Sequence, residues 1–166
     1  MNTAMDNRRN EQPERKGFFE VVCPQQTQDF ENSLFLAGGI TDCPDWQADL
    51  VSLISNLPIT ALNPRRPYFP INDPSASNEQ IEWEHRYLRS AEAISFWFPR
   101  ETFCPITLYE LGAWSMGNKA LFIGVHPEYP RKIDIEIQTR LARPEIQIVY
   151  SLGDLASQIR EWRLNK

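Results

Sequence analysis

Short apolar runs alternate with longer segments of helical periodicity along most of this chain. Leu34–Ala37 and Ala93–Phe98 are uninterrupted apolar runs, which is the pattern of strands buried on both faces of a parallel sheet. Such runs predict five strands: Leu34–Ala37, Ile59–Leu62, Ala93–Phe98, Ala120–Val125 and Ile146–Tyr150. Because helical segments separate the strands, we predict a three-layer α/β fold of the flavodoxin-like, doubly wound type. Helices would cover both faces of a five-stranded parallel sheet with the order 2-1-3-4-5.

The ends of the helices are predicted from capping residues and prolines. Asp45 is a plausible N-cap of the first helix, and Pro58 ends its periodic pattern. Ser77, with Gln80 three residues later, matches a capping box for the second helix. The run Phe18–Cys23 is aromatic and β-branched and is followed by a proline, so it is predicted to be an edge strand or an extended arm.

Length and composition limit the class of protein. The 166 residues predict one domain, residues 18–166, after a polar leader at residues 1–17 that is predicted to be disordered. A net charge of −5 argues against a nucleic-acid polymer as partner, because phosphates require a basic surface. No apolar run approaches a bilayer span, and the leader lacks the apolar core of a secretory signal. We therefore expect a cytoplasmic protein with a small-molecule partner and no membrane partner.

Candidate ligand contacts gather at one edge of the predicted sheet. In doubly wound sheets, ligands bind beyond the carboxyl ends of the strands at the switch point, here between the first and third predicted strands. Gly38 and Gly39 follow the first of these strands, and the proline-rich loop 63–74 and the turn 99–110 lie at the same edge. This edge is the predicted site.

Two carboxylates are predicted to share that pocket. Glu84 lies on the apolar stripe of the second helix, and Glu110 lies on the helix that follows the third strand. Burying an unpaired carboxylate is costly, which suggests a functional reason. The alternative for Glu84 is a solvated position, or an ion pair with Arg86 or Arg89.

Glu110 has two competing interpretations. In the first, Thr107 is the N-cap of a helix and Glu110 reaches back to it as the fourth residue of a capping box. In the second, Glu110 is a catalytic nucleophile or base in a cleft, a role that carboxylates take in glycosyl transfer. Gly112 favours the second slightly, because glycine inside a helix suggests the close approach of a backbone, a strand or a ligand.

With these residues located, the chain resembles the nucleoside 2-deoxyribosyltransferase-like family over about Val21 to Tyr150. The order and spacing of four features support the resemblance, and the Glu-Leu-Gly segment that begins at Glu110 is the most diagnostic. The four features are Leu34-Phe-Leu-Ala-Gly-Gly-Ile-Thr41, Asn63-Pro-Arg-Arg66, the acidic residue Glu84, and Pro105-Ile-Thr-Leu-Tyr-Glu-Leu-Gly112.

The resemblance implies a role for each matching residue. Glu110 would be the nucleophile that holds the sugar as a covalent glycosyl-enzyme, and Glu84, in place of the family's usual aspartate, would protonate the leaving base. Cys104 stands where transferases of the family often carry an aspartate and related monophosphate hydrolases a serine. Arg65, Arg66 and Arg100 are either phosphate ligands or solvated loop charges. The full set of expected substrate contacts is Gly38, Gly39, Asn63, Arg65, Arg66, Cys104 and Thr107.

These observations predict an N-glycosidic-bond enzyme on 2′-deoxynucleosides or their 5′-monophosphates, which transfers the deoxyribosyl group to another base or to water. A non-catalytic nucleotide-binding module and a glycohydrolase on another nucleotide, such as a nicotinamide dinucleotide, are the alternatives. His85 and His126 belong to no cluster with ligand spacing, and the three cysteines have no C-x-x-C spacing, so neither metal nor cofactor is expected. We expect a homo-oligomer, at least a dimer.

Overall fold

A computed structural model describes residues 17–166, and the predicted leader therefore lies outside the described residues except for Gly17. The chain forms one sheet of six parallel strands in the order β1-β3-β2-β4-β5-β6. The strands are β1 Phe19–Val22, β2 Ser33–Gly38, β3 Thr60–Asn63, β4 Ala93–Phe98, β5 Ala120–Val125 and β6 Ile148–Val149. The helices are α1 Trp46–Ile54, α2 Pro74–Ser90, α3 Pro105–Ser115, α4 Lys132–Ala142 and α5 Leu152–Leu164.

The predicted flavodoxin-like three-layer fold is confirmed, with a correction to the strand count. The five predicted strands appear in the predicted relative order, as β3-β2-β4-β5-β6. The sixth strand is β1, which pairs in parallel with β3 from Phe19 opposite Thr60 to Val22 opposite Asn63. Its burial is incomplete, as expected at an edge, and local pattern alone left it between an edge strand and an extended arm.

Alternate residues of the buried strands pack on opposite faces of the sheet. Leu34 and Leu36 of β2 contact a cluster that includes Trp46 of α1. Phe35 belongs to the cluster on the other face, together with Trp83 of α2. The two cores explain why the strands of this sheet are apolar runs without polar alternation.

The capping predictions have different outcomes. Asp45 is the N-cap of α1, because its carboxylate accepts a hydrogen bond from the Ala48 N–H at 3.1 Å. The prediction for α2 was wrong, since that helix begins at Pro74 with Asp73 as its N-cap. A proline at the first helical position carries a preset φ and needs no N–H acceptor, so the helix begins one turn earlier than Ser77 suggested.

Within residues 17–166, no helix combines the length and the apolar character needed to cross a bilayer.

Candidate active site

A cavity of about 310 Å³ opens at the carboxyl ends of β2 and β4, where the strand order reverses. Its size lies at the lower end of small-molecule sites, which measure about 300–1,000 Å³. Its walls are formed by residues after β2, by one face of α2 and by the first turns of α3. Six of the predicted site residues line it: Gly38, Gly39, Glu84, Cys104, Thr107 and Glu110.

The start of α3 excludes one of the two interpretations of Glu110, the capping box. The N-cap of α3 is Cys104, which has a left-handed backbone with φ of 48° and no capping bond from its side chain. Thr107 is the third residue of the helix and is buried, so it is not an N-cap. The capping-box interpretation was therefore wrong. A left-handed non-glycine residue costs about 1–2 kcal/mol, which is a cost that functional sites commonly carry.

The carboxyl of Glu110 is held in an environment that disfavours its charge. Burial, and secondarily the negative charge of Glu84, raise the pKa of Glu110 from 4.5 to about 8. Since a second carboxylate contributes to this shift, the two groups act on each other across the cavity. Such a pair can hold one proton and one negative charge near neutral pH.

Glu84 is anchored by a neighbour on its own helix. Gln80 donates a hydrogen bond from Nε2 to Oε1 of Glu84 at 2.7 Å. Burial raises the pKa of Glu84, whereas this bond and the charge of Arg66 act in the opposite direction. The alternative ion pairs are not formed, because Arg86 donates to Gln26 and Arg89 donates to His85.

Arg65 is occupied by contacts with the loop before α1. Its guanidinium donates to the carbonyl oxygens of Pro44, Ile40 and Cys43 and to Oε1 of Gln47. It therefore fastens the loop that follows Gly39, and it does not line the cavity. Its role is to support one wall of the site.

Arg66 and Asn63 also lie outside the cavity lining. The Arg66 side chain is only 6% exposed and donates to Glu79 at 2.8 Å and to Gln80 at 2.8 Å. Asn63 donates to Oε1 of Glu20 at 2.8 Å and accepts the backbone N–H of Arg65 at 2.9 Å. Both residues organise the loop after β3.

Two glycines permit the close packing of the cavity wall. A Cβ on Gly38 would lie 2.3 Å from the Trp46 ring and 2.5 Å from the Trp97 carbonyl oxygen. A Cβ on Gly39 would lie 2.9 Å from Sγ of Cys104. By contrast, a Cβ on Gly112 would meet no described atom within 4 Å beyond its own helix and its chain neighbours. The close approach of a backbone or a strand predicted there was therefore wrong, and the approach of a ligand stays a prediction.

The thiol of Cys104 is neutral at physiological pH. Burial raises its pKa to about 12, and it donates a weak hydrogen bond to the Thr102 carbonyl oxygen at 3.4 Å. Cys104 thus presents a small uncharged group to the cavity. Within residues 17–166, no cluster of three or more histidine, cysteine, aspartate or glutamate residues could hold a metal ion.

Sequence analysis missed Gln80 as a component of the site and assigned it only to a helix cap. The signal was present, since Gln80 and Glu84 are four residues apart and therefore neighbours on one helix face. Its contacts with Cys23 and Arg66, however, join residues 57 and 14 positions away in the chain. No local pattern predicts such contacts.

The fold and the site together define an α/β protein in which two carboxyl groups meet in a small-ligand cavity at the switch point of a parallel sheet. A family model described as nucleoside 2-deoxyribosyltransferase like matches residues 31–129, more than half of the chain. The chain belongs to this family. The matched range includes β2 to β5 and both carboxyl groups. No curated protein sequence matches the chain.

Proposed function

We propose that this protein cleaves the N-glycosidic bond of a phosphate-free 2′-deoxynucleoside through a covalent glycosyl-enzyme on Glu110. The observation that carries the proposal is the presence of Glu84 and Glu110 in one cavity, where burial and, secondarily, the charge of Glu84 raise the pKa of Glu110. Retaining glycosyl transfer uses two carboxyl groups, a protonated one as the general acid and an ionised one as the nucleophile. Membership of the family supports the same chemistry.

The first step breaks the bond between the sugar and the base. The Glu110 carboxylate attacks the anomeric carbon, the carbon–nitrogen bond breaks, and its electron pair leaves with the base. Glu84 supplies the proton that neutralises the departing nitrogen. Burial raises the pKa of both carboxyls, so the pair retains a proton, and the step requires that proton on Glu84 and the negative charge on Glu110.

The second step releases the sugar from Glu110. The ionised Glu84 accepts a proton from an incoming base or water, which attacks the anomeric carbon and displaces the Glu110 carboxylate. A new base as acceptor gives transfer, and water gives hydrolysis. Glu84 is then protonated and Glu110 is ionised, as they were when the first step began.

The charges of the cavity favour a substrate without a phosphate. Among residues 17–166, the only charged side chains in the lining are Glu84 and Glu110. The nearby cations Arg65 and Arg66 are already satisfied by protein acceptors. A 5′-phosphate would therefore add negative charge to a site that holds one carboxylate and no free cation.

We accordingly expect 2′-deoxynucleosides to be cleaved at least tenfold more efficiently, by kcat/KM, than their 5′-monophosphates. The measurement is chromatography of released base from a matched panel of nucleosides, monophosphates and dinucleotides, with and without a second base. Release that requires the second base identifies a transferase, and release in water identifies a hydrolase. A preference for monophosphates would contradict the charge argument, and binding without release would assign the cavity to a binding module.

We also expect copies of the chain to associate through α3. This helix is apolar around most of its circumference, its outer side chains Ile106 and Tyr109 are 64% and 76% exposed, and Met116 at its C-cap is 85% exposed. Large apolar side chains gathered on one helix indicate a surface that a partner covers, and a second copy presents the same helix. Light scattering should give a mass of at least twice 19.3 kDa. A single species with the mass of one chain at working concentration would contradict the expectation.

A further inference from the structure

A chain of hydrogen bonds leads from Arg66 to the carboxyl of Glu84 through the side chain of Gln80. Arg66 donates from Nε to Oε1 of Gln80 at 2.8 Å, and Nε2 of Gln80 donates to Oε1 of Glu84 at 2.7 Å. Nε2 also donates to the Pro64 carbonyl oxygen at 2.8 Å, and the thiol of Cys23 donates to Oε1 at 3.2 Å. Every hydrogen-bonding atom of the Gln80 amide is therefore used.

These partners allow only one orientation of the amide. If the amide were turned over, Oε1 would face the Pro64 carbonyl and the Glu84 carboxyl, which both present acceptors, while the NH₂ group would face the Arg66 donor. Arg66 is itself fixed by its ion pair with Glu79 at 2.8 Å and lies over the Phe69 ring. The network thus directs an N–H group at one particular oxygen of Glu84.

An oxygen that accepts such an N–H group cannot also carry a proton directed along the same line. The proton of Glu84 is therefore excluded from Oε1 and placed on Oε2. A general acid needs its proton on the atom that meets the leaving group, and its carboxyl must not rotate between turnovers.

We propose that Gln80, oriented by Arg66 and Pro64, is a positioning residue that fixes the Glu84 carboxyl and leaves Oε2 as the atom that carries the transferable proton. This role rests on the proposed function for its catalytic consequence, but the orientation itself does not. Gln80 acts through Glu84, and it is absent from the lining of the cavity.

The pH dependence of Glu84 separates positioning from simple packing. The charged and titratable groups around Glu84 come from three neighbouring elements. Arg66 after β3 acts on the pKa of Glu84, and the charge of Glu84 raises the pKa of Glu110 on α3 and of Cys23 after β1. The Gln80 N–H stabilises the ionised carboxylate, so its removal raises the pKa of Glu84. A residue that only filled space would leave that pKa unchanged.

The test compares the parent with Gln80→Met, which keeps the length of the side chain but loses the amide, and with Gln80→Glu, which keeps the shape but replaces the N–H donor by an acceptor. Carbon-13 NMR of labelled glutamate carboxyls gives the titration of Glu84 in the ligand-free protein, with the resonance assigned from Glu84→Gln. We expect the midpoint to rise by about one pH unit or more in both variants. A midpoint that is unchanged in both would overturn the proposal.

Kinetics provide the second measurement. In a protein that turns over, kcat should fall about tenfold or more with little change in KM, and the alkaline limb of the rate profile should move to higher pH. Gln158→Met is the matched control, because Gln158 on α5 also donates to a backbone carbonyl, that of Gln147, at 2.8 Å, and it does not line the cavity. The control should retain the parental profile.

The two proposals fail in different ways. If the parent releases no base, the NMR titration still decides whether Gln80 holds the Glu84 carboxylate. If the parent turns over and the Gln80 variants show lower melting temperatures with parental pH profiles, Gln80 is a packing residue and the inference is wrong.

Discussion

Replacement of Glu110 by glutamine is expected to abolish turnover while ligand binding persists. An amide can neither form the glycosyl ester nor supply the negative charge that an oxocarbenium-like transition state requires. The loss in kcat should be about 10⁴-fold or more, as for other removed nucleophiles. Base release measured by chromatography and binding measured by calorimetry test both parts. Mass spectrometry of the parent quenched during turnover should find a deoxyribosyl adduct on the segment 104–118.

The same variant should become more stable than the parent as pH rises. Folding raises the pKa of Glu110 from 4.5 to about 8, so the folded state retains a proton that the unfolded chain loses. Glu110 therefore costs the parent stability between about pH 4.5 and pH 8, and Glu110→Gln removes that part of the loss. The variant should gain roughly 2–4 kcal/mol relative to the parent at pH 8 and little at pH 4.5.

Glu136→Gln is the matched control for this stability measurement. Bonds from Tyr150 and Lys132 lower the pKa of Glu136, so that carboxylate stabilises the fold above its unfolded pKa and the contribution disappears as pH falls. The control variant should thus be less stable than the parent at neutral pH. Parental turnover in Glu110→Gln, or a loss of its stability at pH 8, would contradict the assignment of Glu110.

Replacement of Glu84 by glutamine is expected to slow base release by roughly 10²–10⁴-fold, the usual contribution of a general acid. The defect should shrink for a nucleoside whose base departs without protonation, because the missing proton is then not needed. The measurement compares the rates of base release in the parent and in Glu84→Gln, for an ordinary nucleoside and for one whose base departs without protonation. An equal defect for both would show that Glu84 serves binding and not proton transfer.

The pH profile of the parent provides a second check on Glu84. The active pair holds one proton, which it loses with a pKa of about 8, so kcat/KM should fall above that pH because no acid remains. It should also fall at low pH, where both carboxyls are protonated and no nucleophile remains. In Glu84→Gln the alkaline limb should disappear.

The sequence by itself predicted the layers of the fold and both carboxyl groups. Apolar runs such as Ala93–Phe98 predicted buried parallel strands, because a strand covered on both faces has no polar alternation. Helical spacing grouped Glu84 with Leu88 and Ala91, which are buried, but also with Ile81, which is 62% exposed. The motif around Glu110 marked the family that the family model matches. These features depend on local periodicity and on motif order, which can be read from the sequence without knowledge of the fold.

The tertiary structure alone decided how the remaining polar groups are used. Arg65 and Arg66 look like free loop cations in the sequence, yet carbonyl groups from residues 40–44 and the side chains of Gln80 and Glu79 occupy their donors. The attachment of β1 to β3, and the network that holds Glu84, likewise join distant segments. Hydrogen-bond partners at long sequence separation are chosen by packing, because burial forces each polar group to find an acceptor or donor wherever the fold brings one.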